Sequence, residues 1–207
     1  QGERLGDTLE DGGAIEKLVD DPRVPIVSFT GSAKVGWSLR ARAGQKRVIL
    51  ELGGNAGIVV HSDADLTAAA RAACRGGYAH AGQICISVQR VYVQSSVYEA
   101  FLAQFKECVS ALNVGDPLNE GTDVGPLIDQ SSVDKTSQWV DEAVKQGARL
   151  VAGGANPGNN CLTPVILADT RPDMNVICQE VFGPVVSVMK YDTIDDALSQ
   201  MNDSRYG

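Results

Sequence analysis

The chain has 207 residues, 43 % of them hydrophobic and 21 % charged, the balance of a globular protein with a core of its own. Its net charge of −8, with the acidic residues spread along the chain, speaks against a nucleic acid or an acidic membrane surface as partner. No apolar run approaches the roughly 18 residues that a membrane-spanning helix needs, so a membrane is not expected either.

From Gly2 to Gly13 the chain is rich in glycine and acid and reads as loop, followed by a helical turn over Ala14 to Val19. A strand, Pro25 to Phe29, runs directly into Thr30-Gly31-Ser32 and then into a helical pattern with Val35, Leu39 and Ala43 on one face, stopped by Gly44. Strand, Gly-Ser turn and helix is an arrangement that points free backbone N–H groups at a phosphate, and it is equally an ordinary strand-to-helix turn with Ser32 as N-cap. A second apolar strand, Lys46 to Leu50, ends in Glu51-Leu52-Gly53-Gly54-Asn55, and a third, Gly57 to Val60, follows. A carboxylate at the end of an apolar strand, with two glycines that suit a tight turn or close backbone approach, is a candidate general base; a strand-end charge facing water has the same sequence.

Ser62 to Asp65 caps the next helix, whose Leu66, Ala69, Ala70 and Ala73 recur as on a core-facing stripe, with Cys74 beside it as packing. The chain then reaches Ala81-Gly82-Gln83-Ile84-Cys85-Ile86-Ser87, small, turn-prone and aperiodic, before the β-branched run Val88 to Val93. A cysteine at a helix-to-strand junction, where glycine lets the backbone close in, is placed to present a thiol to a cleft; the competing reading is a small apolar plug. His80 lies five residues earlier, but nothing fixes its geometry toward Cys85, and a cysteine–histidine dyad is rejected.

Val97, Phe101, Phe105, Cys108, Val109 and Leu112 mark a long amphipathic helix with Cys108 on its buried face. Asp129 to Gln146 is a further helix, with Val133, Val140 and Val144 available to the core and Gly147 as its stop. Short strands are expected at Arg149 to Ala152 and Leu162 to Leu167, and Cys161 at their edge has no evident role. Cys178-Gln179-Glu180-Val181-Phe182-Gly183-Pro184 leads into a strand, Val185 to Met189; Glu180, beside an aromatic and a Gly-Pro turn, suits the holding of ligand hydroxyls or is a turn-flanking charge. An amphipathic helix, Ile194 to Met201, turns Asp195 and Asp196 to solvent. Helices and strands alternate, which predicts an α/β fold with an open, mostly parallel sheet flanked by helices.

Five cysteines, widely spaced and without a CxxC pair, argue against a disulfide framework and a structural zinc, and for a reducing compartment. Two histidines are too few for the usual His-based sites, so no metal is expected. Cytoplasm is the default expectation for location.

Taken in order, Phe29-Thr30-Gly31-Ser32, Glu51-Leu52-Gly53-Gly54, Gly82-Gln83-Ile84-Cys85 and Glu180-Val181-Phe182-Gly183-Pro184 resemble signature stretches of the aldehyde dehydrogenase superfamily, in register over nearly the whole chain. The resemblance implies the end of a Rossmann-like cofactor domain at residues 1–52 and most of a catalytic domain at 53–207, with the boundary near Leu52 to Asn55. It implies that Cys85 is the nucleophile that attacks an aldehyde and forms a thiohemiacetal, that hydride leaves for the nicotinamide of NAD or NADP, and that Glu51 activates the water that hydrolyses the resulting thioester. The backbone N–H of Cys85 would form half of the oxyanion hole. Gly31 and Ser32 would sit by the cofactor pyrophosphate, Leu52 and Gly53 would also border the cofactor, Glu180 would hold the nicotinamide ribose, and Phe182 would pack nearby. The chemistry is coherent, because a thiolate is a good nucleophile and a thioester splits one hard oxidation into two easier steps.

Glu51 favours hydrolysis over transfer to coenzyme A, since acylating relatives often lack a carboxylate there; a coenzyme A-acylating dehydrogenase is the alternative enzyme. A catalytically silent structural relative would have lost Cys85 or Glu51, and both are present. Ile84, Ile86 and Ser87 beside the thiol, with Asn55-Ala56 after the glycine pair, resemble branches acting on short hydroxy- or semialdehydes, while the choice between NAD and NADP stays open.

Gln1 and the turn at Asn202 to Gly207 suggest an interior piece of a longer chain. The resemblance places the second oxyanion-hole donor and the adenosine contacts before the first strand, and the segment that builds a dimeric or tetrameric homo-oligomer after Gly207. The 207-residue piece alone is thus expected to bind cofactor weakly and turn over little or nothing; a third possibility is a natural truncated module that docks on a partner through its uncovered apolar faces.

Overall fold

The computed structural model describes residues 13–206; the loop expected before Gly13 lies outside the described residues. The fold divides into two compact units, one ending at Gly53 and the other beginning at Gly54.

The smaller unit holds α1 (Ala14–Asp20), β1 (Ile26–Thr30), α2 (Ala33–Arg42) and β2 (Arg47–Glu51). Its strands pair in parallel from Ile26 opposite Arg47 to Thr30 opposite Glu51. Ser32 caps α2 by accepting the Val35 N–H at 3.4 Å, so the helix starts where a serine after a glycine predicts it. Val19, Leu39 and Ala43 form the buried centre, with Val27, Phe29, Val35 and Val48 packed against them.

The larger unit is a five-stranded sheet in the order β3 (Ala56–Val60), β4 (Val88–Gln94), β7 (Val185–Tyr191), β6 (Val165–Ala168), β5 (Arg149–Ala152). All neighbours are parallel except β5, which runs antiparallel to β6 at the edge. Alternate side chains of the central strands enter two separate cores. Val91, Val93, Ile166, Val186 and Val188 pack with Ala70 and Ala73 of α3 (Leu66–Tyr78) and Phe101 and Phe105 of α4 (Tyr98–Ser110). Tyr92, Val165, Leu167, Val185 and Met189 pack with Val140 and Ala143 of α5 (Gln130–Lys145), Val176 and Ile177 of the short α6 (Asn175–Cys178), and Ala197 of α7 (Ile194–Asn202). Burial on both faces is why the strand sequences read as near-continuous apolar runs rather than as alternation. The expected open, mostly parallel α/β sheet is what forms.

Side-chain caps set the helix starts: Asp65 accepts the Thr67 and Ala68 N–H groups, Asp129 accepts the Ser132 N–H, and Thr193 and Asp196 form a reciprocal capping box.

Three expectations differ from the structure. On α5, Val144 is 40 % exposed, and Thr136 and Ala143 take inward positions instead, because the stripe is set by packing on the sheet rather than by side-chain apolarity. The strand expected from Leu162 begins only at Val165: Pro164 has no N–H to give a ladder, and Thr163 bonds back to Ala155 in both directions at 2.9 and 2.8 Å. On α7 the aspartates face solvent as expected, but so do Ile194 and Leu198, leaving Ala197 as its buried residue.

Candidate active site

The cysteine stretch breaks the regular backbone. After α3, a single 3-10 turn over Ala79–Gly82 takes His80, Ala81 and Gly82 into left-handed conformation, with φ of 51°, 56° and 72°. Two of these are not glycine, and backbone strain of this kind costs on the order of 1–3 kcal/mol per residue, so it persists only where surrounding contacts impose it.

Those contacts are visible. Gly82 lies so close to Gly183 that a Cβ would stand 2.2 Å from the Gly183 carbonyl oxygen. A Cβ on Gly54 would stand 2.4 Å from the carbonyl oxygen of Cys85. Gln83 accepts the Ile128 N–H at 2.9 Å and donates to the His80 and Pro126 carbonyls, both at 3.3 Å. Ser87 closes the turn by donating its N–H to Ile84 at 3.0 Å, and its hydroxyl reaches the Gly76 and Gly77 carbonyls at the end of α3. Between these anchors Cys85 is exposed, and so is Ile86, at 76 %. The plug reading of Cys85 does not survive this: Cys74 and Cys161 are buried, and Cys85 is not. Burial pushes the Cys74 thiol up to about 11, which makes it inert at neutral pH.

Glu180 is drawn to the same place. Its Oε1 accepts the Gly54 N–H at 3.0 Å, so Gly54 meets the cysteine loop on one side and the Glu180 carboxylate on the other. Phe182 follows in left-handed backbone, φ 54°, with 43 % of its surface exposed. Gly54, Gly82, Ile84, Ser87, Glu180 and Phe182 line one crevice. His80, Gln83, Ile84, Ile128 and Phe182 border a broad depression of about 640 Å³ beside it. Ile84, Leu127, Ile128 and Phe182 give that depression an apolar wall.

The other predicted site residues belong to the smaller unit. Glu51 is the last residue of β2, its side chain exposed and its carbonyl accepting the Gly31 N–H at 3.0 Å, so the end of β2 and the Gly-Ser turn adjoin. Leu52 packs against Gly36 of α2, where a Cβ would stand 2.5 Å from Leu52 Cδ2. Ser32 does cap its helix, accepting the Val35 N–H.

Several residues around Glu180 carried no sequence signal. Lys135 on α5 sits 4.9 Å above the Trp139 ring; desolvation pushes its ammonium down, and the Glu180 carboxylate opposes that. Tyr206 accepts the Glu180 N–H at 3.0 Å. Arg90, buried on β4, spends its guanidinium on neutral acceptors: the Asn55 carbonyl, the Tyr92 hydroxyl, and the Gln200 and Met201 carbonyls. The partner of Tyr206 and the carbonyl partners of Arg90 lie far away in sequence, beyond the reach of local pattern. No group of three or more His, Cys, Asp or Glu side chains fit to hold a metal occurs among the described residues.

The sequence model of the aldehyde dehydrogenase family matches residues 10–207. The chain is 45 % identical over 205 residues to a 3-sulfolactaldehyde dehydrogenase of Priestia aryabhattai, covering 99 % of this chain and 43 % of that protein. It is 38 % identical over 200 residues to a succinate-semialdehyde dehydrogenase (NADP(+)) of Escherichia coli, covering 95 % of this chain and 42 % of that one. Its fold superposes on the crystal structure of an NAD-dependent aldehyde dehydrogenase from Sinorhizobium meliloti with a TM-score of 0.89 and 38 % identity, over 92 % of this chain and 39 % of that chain. The chain thus spans less than half the length of the relatives it matches.

Proposed function

The chain belongs to the aldehyde dehydrogenase family, and from that premise we propose that the protein oxidises a small aldehyde to a carboxylic acid with NAD or NADP through a covalent intermediate on Cys85. The observation that carries this reading is the exposed Cys85 thiol on a strained loop closed by Gly54 and Gly82, in a unit where the other four cysteines are buried or half-buried. The relatives named above act, by their names, on 3-sulfolactaldehyde and succinate semialdehyde, both short and acidic, and a substrate of that size is the proposal for this protein.

In this reading the Cys85 thiolate adds to the aldehyde carbon and holds it as a thiohemiacetal, with the Cys85 N–H donating to the developing oxyanion. NAD(P)+ when bound supplies the acceptor for the hydride. Gly31 and Ser32 would sit by its pyrophosphate, Leu52 and Gly53 would border it, Glu180 would accept its ribose hydroxyls, and Phe182 would cover it. The groups present fit such a ligand: the N-terminal turn of a helix, where backbone N–H groups lie ahead of the intrahelical ladder, and a carboxylate one oxygen of which accepts the Gly54 N–H. Glu51 takes the proton of the water that cleaves the thioester, which returns Cys85 and releases the acid. In this reading residues 1–52 are the end of the cofactor domain, which also carries Glu51, and residues 53–207 are most of the catalytic domain, which carries Cys85 and lends Glu180 and Phe182 to the cofactor.

The test is NAD(P)H formation by the full-length protein over a panel of short hydroxy- and semialdehydes, with each cofactor and with or without coenzyme A. Activity independent of coenzyme A, absent in Cys85→Ala, is the expected result. Glu51→Gln should keep a burst of one NAD(P)H per site and lose steady turnover. A requirement for coenzyme A would overturn the role of Glu51, and activity surviving in Cys85→Ala would overturn that of the thiol.

A further inference from the structure

From α6 toward β7 the segment Val176 to Val181 carries Glu180, and none of it belongs to a strand. The N–H groups of Ile177, Cys178 and Gln179 turn back to the Met174 and Asn175 carbonyls, and several of the segment's remaining polar groups are taken by side chains. Gln89, buried near the start of β4, donates through Nε2 to the carbonyls of Val176 at 3.0 Å and Gln179 at 2.6 Å. Its Oε1 accepts the Val181 N–H at 2.8 Å. Asn55 donates to the Ile177 carbonyl at 2.6 Å, and the Tyr206 hydroxyl accepts the Glu180 N–H. Gln89 therefore grips the chain on both sides of Glu180, three bonds from one carboxamide, and it stands four residues beyond Cys85, on the strand that follows the cysteine loop.

We propose that Gln89 is a positioning residue for cofactor binding: it fixes the Val176–Val181 segment so that the Glu180 carboxylate stays aimed at the ribose hydroxyls, in register with the cysteine loop. The inference rests on the reading of Glu180 as the ribose acceptor. The chemistry of the side chain is specific. A carboxamide offers two donors and an acceptor together, and all three are in use. Glutamate would set a negative charge against two carbonyls, and methionine would leave three buried main-chain groups unpaired.

The experiment compares Gln89→Met, Gln89→Asn, Glu180→Ala and the Gln89→Met/Glu180→Ala double variant in the full-length protein. NAD(P)+ affinity is read by calorimetry, and the kinetic constants for cofactor and aldehyde are read separately. Val109→Ala, a buried change on α4, serves as a stability-matched control. Gln89→Met should weaken NAD(P)+ binding about tenfold, the scale of losing one or two buried hydrogen bonds, with the same rise in cofactor KM. The aldehyde KM and kcat should hold. Gln89→Asn, whose shorter arm keeps the carboxamide, should show a smaller rise, and it decides the matter if Gln89→Met does not fold.

In the Glu180→Ala background the Gln89 effect should vanish, because the two act as one unit. An undiminished Gln89 effect there, an equal loss of affinity in Val109→Ala, or cofactor affinity unchanged by either Gln89 variant would overturn the proposal while leaving Glu180 in its role. Cofactor affinity unchanged by Glu180→Ala would remove the underlying reading, and the proposal with it.

Discussion

The two units of this chain are built from the same kinds of element and held together by different forces. In the larger, a five-stranded sheet is covered on both faces, and Phe101, Phe105, Tyr92 and Tyr98 are almost fully removed from water. In the smaller, two parallel strands share a centre of three buried residues, Val19, Leu39 and Ala43, while Trp37 stays 59 % exposed and Ile26 and Ile49 face solvent. What fastens that unit is polar. Arg42 pairs with Asp20 and Glu16 at 2.5 and 2.8 Å, and Lys46 donates to the carbonyls of Val19 and Asp21. Exposed ion pairs add little, and a two-stranded sheet is marginal without cover, whereas buried apolar area scales directly into stability. The cysteine loop and Glu180 are thus carried by the stiff unit, and Glu51 and the Gly-Ser turn by the pliant one.

The largest effect that would break this comparison is expected from Gly82→Ala. The added methyl would meet the Gly183 carbonyl in left-handed backbone, and a loss of several kcal/mol, on the order of 3 or more, should appear as a lowered urea midpoint of the larger unit. A core truncation comes next: Phe101→Ala should cost about 3–5 kcal/mol in the same measurement. Leu39→Ala, the equivalent change in the smaller unit, should leave that transition untouched and speed hydrogen exchange only in β1 and β2.

The pH dependence should separate the units in opposite directions. The Asp20 carboxyl is held below its ordinary value, chiefly by its hydrogen bond with Arg42, so its contribution is complete above the ordinary carboxylate pKa and is lost as pH falls through the depressed one. Burial pushes Cys74 up to about 11 and Tyr98 up to about 12, so their protonated forms favour the fold below the unfolded values, and that support is lost as pH rises toward 11 and 12. Exchange rates followed across pH should therefore show the smaller unit loosening first in acid, and the larger unit weakening above roughly pH 8.5. Smallest of all, Arg42→Ala should barely move any midpoint and should reduce the acid-side difference, with Asp21, held down by Arg23, keeping the rest, read by the same exchange experiment.

The sequence made the strand and helix order legible because apolar periodicity and caps are local: Asp65, Asp129 and Thr193 each announce a helix that forms. The cysteine loop was legible for a related reason, since glycines and a break in periodicity marked it. What escaped was anything set by partners distant in the chain. The grip of Gln89 on the Glu180 segment spans about 90 positions, and a glutamine in a strand carries no sign of its partner. Val144 misled because an apolar residue at a plausible spacing can still face water when Ala143 and Thr136 fit the sheet better. Pro164 did carry its signal, a missing N–H that delays the strand to Val165.

The close approaches around Cys85 also bear on how the protein can be redesigned. Gly54, Gly82 and Gly183 touch backbone or the Thr136 side chain so tightly that a mutational library varying them would yield mostly damaged chains. Ile86, next to Cys85 in the chain, and Phe182, which shares a crevice with Ile84 and Ser87, offer exposed side chains on that frame. A selection for altered aldehyde preference has its freedom there, on two residues rather than on the loop that bears them.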